Sequence, residues 1–236
     1  MRTGAGQPIR NVRLQVGEQS GGSASRIGRS RLAACHGGTP RLGPALNAQA
    51  AQFVRDLPLT QGAVEFARER HRGQRRAGDN AAFVFHPLEV AALLDRSQYP
   101  DHVVAAAVLH DILEDTPTEL WEIEARFGRG VSELVSLLTD DPHISDEEAR
   151  KDEVRERVRR RGGDGAAIYA ADKVSKVREL RTLVARGHGG RDALVKLRRY
   201  RKSLAMLEDT IPGNRLVRLL RFELDALEEF PPAPRV

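Results

Sequence analysis

The chain has one cysteine, Cys35, and so few aromatic side chains that Phe, Trp and Tyr together make up 5% of its 236 residues. A single cysteine excludes an internal disulfide and fits a reducing compartment, so the cytosol is the expected location. Scarce aromatics beside abundant Ala, Leu, Val, Arg and Glu argue against a β-sandwich and for an all-helical protein. Nowhere do about 18 apolar residues follow one another, which excludes a membrane-spanning helix. The N-terminus carries arginines but no apolar stretch before a small-residue cleavage site, so it does not read as a secretory signal. No Gly-rich phosphate loop of the P-loop type is present, so kinase-like transfer is not expected.

Charge of either sign is plentiful but unevenly placed. Residues 1–57 hold eight arginines against Glu18 and Asp56, a net +6 of the chain's +5, which leaves the remainder near −1. The basic character therefore belongs to the tail, and nucleic-acid binding by the folded domain is not expected. Residues 1–57 are rich in Gly, Arg, Ser, Ala and Gln without period. Such a segment cannot bury enough apolar surface to offset ordering entropy and is expected to be disordered; a basic arm for anionic surfaces is the functional alternative.

From Leu57 onward the pattern is helical. Thr60 is placed to cap a first helix ending near His71, and Phe83–Phe85 reads as a short extended piece before the Pro87 helix. Pro100-Asp101 opens a helix that runs into His110-Asp111. Thr116-Pro117-Thr118-Glu119 reads as a capping box with proline at N1. Trp121, Ile123 and Phe127 then form an apolar face with Gly128 as stop. A highly charged helix over Asp146–Arg161 is expected to be exposed. Helices over Ala166–Arg186, Asp192–Asp209 and Arg215–Glu229 complete an α-helical bundle of about eight helices over 58–230.

The stretch Ala105–Thr116 concentrates the chemistry. An apolar helix runs into adjacent His110 and Asp111 and shows Glu114 and Asp115 one turn later, so that positions four apart share a face. One reading leaves these charges solvated at a helix end while Leu109 and Ile112 face the core. The other makes them a site, because buried charge must be paired or bind metal. Asp172 lies in Ala-Ala-Asp-Lys-Val, an apolar turn where a lone carboxylate is costly, and His86 precedes a helix-starting proline. Together His86, His110, Asp111 and Asp172 suit a divalent cation such as Mn²⁺ with positions left for water and substrate oxygen.

In order along the chain stand Ala63–Arg76, Phe85-His86-Pro-Leu-Glu-Val-Ala, Leu109-His-Asp-Ile-Leu-Glu-Asp-Thr, Phe127-Gly, Leu138-Thr-Asp-Asp and Ala171-Asp-Lys-Val. This series resembles the RelA/SpoT-homologue hydrolase domain of the metal-dependent HD superfamily, and the length of the folded part is most similar to stand-alone small alarmone hydrolases. The resemblance covers about residues 58–186 well and the last two helices loosely. Blocks in correct order are far more specific than any one motif.

The resemblance implies metal ligation by His86, His110, Asp111 and Asp172, usually of Mn²⁺, with Glu114 and Asp115 positioning and deprotonating the attacking water. It implies a basic residue near the nucleotide at Arg76, beside Arg75, and a recurrent histidine at His71, for which packing is the alternative role. Glu148, Arg150 and Lys151 match a charged stretch whose basic members can face phosphates, or else form a solvated face. Tyr200 matches a tyrosine near base or sugar, with a core contact as the alternative. Ala77 stands where a lysine is usual. Val174-Ser175-Lys176 replaces a Leu-(His or Tyr)-Asn run, so Lys176 offers a mobile charge where an Asn would offer fixed hydrogen bonds.

The expected activity is hydrolysis of guanosine 3′,5′-bis(diphosphate), (p)ppGpp, to GDP and pyrophosphate. The alternatives are the same centre acting on another phosphorylated nucleotide, a 5′-nucleotide or NADPH, and a non-catalytic nucleotide-binding sensor.

Overall fold

The computed structural model describes residues 56–76, 80–187 and 190–229. The tail expected to be disordered lies outside them apart from Asp56 and Leu57, as does Ala77. The described residues form ten helices: α1 Pro58–Arg70, α2 Phe85–Asp95, α3 Asp101–Leu109, α4 Ile112–Asp115, α5 Leu120–Phe127, α6 Arg129–Leu138, α7 Glu147–Arg161, α8 Gly163–Ala185, α9 Arg191–Thr210 and α10 Arg215–Glu228. The only β pairing among them is an isolated antiparallel bridge between Arg75 and Ala82. The fold is all-α, with ten described helices where about eight were expected; one of the additional elements arises because the motif helix breaks at His110 and resumes as the single turn α4. No described helix is long and apolar enough to cross a membrane.

The bundle is built around α3. Every side chain from Val103 to Leu109 is buried, which is the mark of a helix enclosed on all sides rather than one with a wet face. Three consecutive alanines, Ala105–Ala107, keep its radius small, so α1, α2 and α6 pack directly against it. The long helix α8 follows the same rule through Ala166–Ala171 and receives α2, α9 and α10. Chain order thus places the C-terminal end of α3 against the middle of α8.

Several local expectations are overruled by tertiary contacts. Thr60 does not cap α1; the Asp101 carboxylate reaches over from α3 and accepts from the backbone N–H of Leu59 and Thr60, each at 2.9 Å, and from the Thr60 hydroxyl at 2.6 Å. The helix start is therefore satisfied by another helix. The capping box is real but sits three residues later, between Glu119 and Glu122, while the Thr116 hydroxyl donates back to the Ile112 carbonyl. Phe83 and Val84 form a turn and Phe85 is already helical, so the extended pairing lies at Arg75 and Ala82 instead. Trp121 leaves the apolar face and is 68% exposed. The charged helix α7 is half docked, burying Val154, Arg155 and Val158. Gly128 ends α5 and starts α6 with φ +82°, a backbone that glycine adopts without strain.

Candidate metal centre and substrate clefts

Where α3 ends, three helices deliver side chains to one point. His86 comes from the first turn of α2, His110 from the end of α3, and Asp172 from the middle of α8. His86 Nε2 lies 3.1 Å and His110 Nε2 3.6 Å from Asp172 Oδ1. Asp111 Oδ2 approaches the same two nitrogens at 3.4 and 3.2 Å. His86, His110 and Asp172 are all buried.

The decisive feature is what these atoms lack. His86 Nε2, His110 Nε2 and Asp172 Oδ1 are buried and have no hydrogen-bond partner, although such groups are almost always satisfied in folded proteins. Three orphaned donor atoms aimed at one another fit a divalent metal, and His₂Asp with a second carboxylate is a suitable donor set. The electrostatics agree. Burial opposes charge on His110, yet Asp111 and Asp172 outweigh it and push its pKa up to about 10. Burial likewise works against the Asp111 and Asp172 carboxylates. His110 and Lys176 nevertheless hold Asp111 well below the usual range, and Lys173 and Lys176 do the same for Asp172. The point attracts positive charge.

Glu114 and Asp115 follow on α4, whose backbone N–H groups both donate to the Asp111 carbonyl. That turn holds the two carboxyls at the solvent-open rim of the centre. Glu114 Oε1 accepts from the Asp140 backbone N–H at 2.9 Å. Burial and the neighbouring Asp111 raise the pKa of both carboxyls. His71 is buried behind this turn; its Nδ1–H donates to Gln74 Oε1, and Gln74 Nε2 donates to the Asp115 carbonyl, each at 2.7 Å. It also stacks on Phe83, so packing and site support coincide in one residue.

Two larger clefts flank the centre. One of about 290 Å³ is lined by Arg76, Phe83, His86, Asp111, Glu114, Asp115, Lys176 and Glu179. The other, about 540 Å³, lies between α7, α8 and α9 and includes Lys151, Arg155, Tyr169, Lys173, Lys176 and Tyr200. Lys176 borders both and also the small pocket at the metal centre. Its Nζ lies 3.0 Å from Asp172 Oδ1, close enough for an ion pair but off the line of a hydrogen bond.

The remaining expected substrate residues divide. Arg76, Lys176, Lys151 and Tyr200 border the clefts, and burial raises the Tyr200 pKa. Lys151 is ion-paired to Asp140 at 2.6 Å. Arg150 donates to the Ile144 carbonyl, and Arg75 donates to the Asn80 carbonyl of its own loop. Neither is brought to the centre. Glu148 is occupied by Arg199, Lys202 and Arg155. Tyr169, Lys173, Arg155 and Arg199 also line the larger cleft, without having been expected there from the sequence. Lys173 was legible as the neighbour of Asp172, whereas Arg155 and Arg199 enter only because α7 and α9 face each other.

An all-α fold that closes two histidines and two aspartates into one buried point defines a metal-dependent hydrolase of the HD type. The chain belongs to the HD domain family, which it matches over residues 63–188. Among curated proteins it is 35% identical over 121 residues to guanosine-3′,5′-bis(diphosphate) 3′-pyrophosphohydrolase MESH1 of Mus musculus, covering 50% of this chain and 67% of that protein. It is 34% identical over 128 residues to the Homo sapiens protein of the same name, covering 53% and 71%. A solved structure described as a metazoan ortholog of SpoT that hydrolyzes ppGpp aligns with a TM-score of 0.63 at 24% identity. That alignment covers 73% of this chain and 97% of the other and speaks to the fold alone.

Proposed function

We propose that residues 58–230 form a Mn²⁺-dependent hydrolase of guanosine 3′,5′-bis(diphosphate), releasing pyrophosphate from the 3′ position and leaving GDP. The observation that carries this reading is the convergence of the orphaned His86 Nε2, His110 Nε2 and Asp172 Oδ1 beside Asp111. It is joined by the identity to proteins named for that reaction. The lone cysteine supports a cytoplasmic location.

A divalent cation held by His86, His110, Asp111 and Asp172 would polarise a phosphate oxygen and acidify water. The chain supplies the rest. Glu114 is fixed through Oε1 by the Asp140 N–H, which leaves Oε2 to orient the attacking water and take its proton. Its raised pKa brings it closer to the range useful for that task. Asp115 on the same turn is the second proton-handling group. Arg76, Lys151 and Lys176 face the clefts as counter-charges for the diphosphates. The 540 Å³ cleft has the volume for a nucleoside, and its Tyr169, Tyr200, Leu180 and Leu183 give it apolar surface for a base.

The test is Mn²⁺-dependent hydrolysis of ppGpp by the purified chain, with Asp111→Ala as control and products identified. GDP and pyrophosphate, absent with the variant, are expected. Metal binding without ppGpp turnover would overturn the substrate. A second reading, hydrolysis of a different nucleotide such as a 5′-nucleotide or NADPH, is favoured by Lys176. Its ammonium lies against Asp172 and offers charge rather than the paired donor and acceptor of an amide. A purely binding role is disfavoured because a pure binder has no need of Glu114 and Asp115 beside the centre.

A further inference from the structure

An imidazole can offer a metal only the nitrogen that carries no hydrogen, so each ligand histidine needs its other nitrogen protonated and held. His110 meets this need directly. Its Nδ1 lies 2.8 Å from the Ala107 carbonyl, which can only accept, so Nδ1 keeps its hydrogen and Nε2 is the nitrogen left for a metal to take in place of a proton.

His86 reaches the same state by a longer route. Its Nδ1 lies 3.0 Å from the Ser175 hydroxyl, and that hydroxyl donates to Glu89 Oε2 at 2.8 Å. A hydroxyl has one hydrogen and a carboxylate has none to give. The Ser175 hydrogen therefore goes to Glu89, and its lone pair accepts from His86 Nδ1–H. Glu89 is itself held by Arg178 at 3.2 Å. The Arg178 Nε donates to Glu223 Oε1 at 2.7 Å, and Arg181 donates to Glu223 Oε2 at 2.6 Å. Glu223 is buried and lies on α10, outside the segment 63–188 that matches the HD family.

We propose that Ser175 and Glu89 are positioning residues of the metal centre. They set the tautomer of His86 and tie that ligand, through Arg178 and Glu223, to the C-terminal helix. This rests on His86 being a metal ligand. The direction of the relay separates it from an ordinary structural contact. Without an acceptor at position 89, the Ser175 hydroxyl is free to turn and donate to His86 Nδ1, which favours the hydrogen on Nε2 and weakens ligation. An amide at position 89 still presents an oxygen to accept from Ser175.

The experiment is calorimetric titration of the full-length, metal-free chain with Mn²⁺ and Zn²⁺. Wild type is compared with Glu89→Leu, Glu89→Gln and Ser175→Ala, and the Tm of each metal-free protein is measured alongside. The Glu89 side chain is 35% exposed, so its replacement does not open the core. Glu89→Leu and Ser175→Ala are expected to weaken metal binding about 10- to 100-fold, while Glu89→Gln binds like wild type. Nitrogen-15 spectra of the zinc-loaded wild type are expected to show His86 protonated at Nδ1. Unchanged affinity in Glu89→Leu, equal losses in Glu89→Leu and Glu89→Gln, or a His86 hydrogen on Nε2 would overturn the relay while leaving the metal centre standing. Wild-type protein that takes up neither ion would overturn both.

Discussion

The metal centre and the α7–α9 wall are made of the same residue types and behave as opposites. At the centre, Asp172 is buried and Asp111 largely so, and each charge is weakly screened where it faces His86 and His110. On the wall, Glu147 and Glu148 of α7 face Arg199 and Lys202 of α9 in a lattice of short ion pairs at the surface. There solvent and salt screen each pair, and its worth to stability is small. Burial, not residue identity, sets the two groups of carboxylates apart: Asp111 and Asp172 face unpaired imidazole nitrogens, while Glu147 and Glu148 face surface cations. The centre leaves three inward-facing atoms, His86 Nε2, His110 Nε2 and Asp172 Oδ1, without a hydrogen-bond partner. The wall pairs its charges with one another and in doing so shapes one side of the 540 Å³ cleft.

The contrast can be broken most forcefully at Asp111. Replacing it with Ala removes the carboxylate that faces both histidines, and hydrolysis is expected to fall to background with metal uptake lost in a titration. Glu114→Gln sharpens the division within the site. Metal binding should persist by calorimetry while kcat falls about 10²- to 10⁴-fold, the usual worth of a positioned general base. If kcat is unchanged, Glu114 is not the base.

The apolar frame is tested at Leu109, fully buried one residue before His110. Leu109→Ala is expected to cost about 2–5 kcal/mol in denaturant unfolding and to weaken metal binding as well. Lys176→Met removes the charge shared by both clefts. The KM for a phosphorylated nucleotide should rise roughly 10- to 100-fold, the value of a charge-assisted hydrogen bond, with kcat less affected. An unchanged KM would detach Lys176 from the phosphates.

The wall should answer least. Lys202 and Arg199 hold the Glu148 pKa down from 4.5 to about 2. A depressed carboxylate stabilises the fold above its unfolded pKa, and that contribution is lost as pH falls through the folded value. The Tm difference between wild type and Glu148→Gln is therefore expected to be small at pH 7, to shrink between pH 4.5 and about 2, and to shrink in high salt. A difference that grows on acidification would contradict the sign.

Much of this was legible in the chain. The periodicity of apolar residues located the long helices to within a few positions, and His110-Asp111 with Glu114 and Asp115 announced a site because such residues have no packing reason to end an apolar helix. Arg75 shows the limit, since a basic residue in a loop carries no sign of whether it faces substrate or, as here, its own backbone. Thr60 shows another. Its type and place suggested a cap, but the Asp101 carboxylate came from 41 residues away. Trp121 reads as part of an apolar helix face with Ile123 and Phe127, and nothing local says that no neighbour covers it.

By itself the sequence determined the all-helical class, the absence of an internal disulfide, the run of each main helix and the identity of the residues able to do chemistry. These depend on backbone propensity and side-chain periodicity, which act over a few residues. The tertiary structure alone decided that His86 and Asp172 meet at 3.1 Å, that Ser175 turns its hydrogen to Glu89, and that α7 and α9 border a cleft beside the centre. Those outcomes depend on how small side chains such as Ala105–Ala107 let helices approach, and packing of that kind is a property of the whole chain at once.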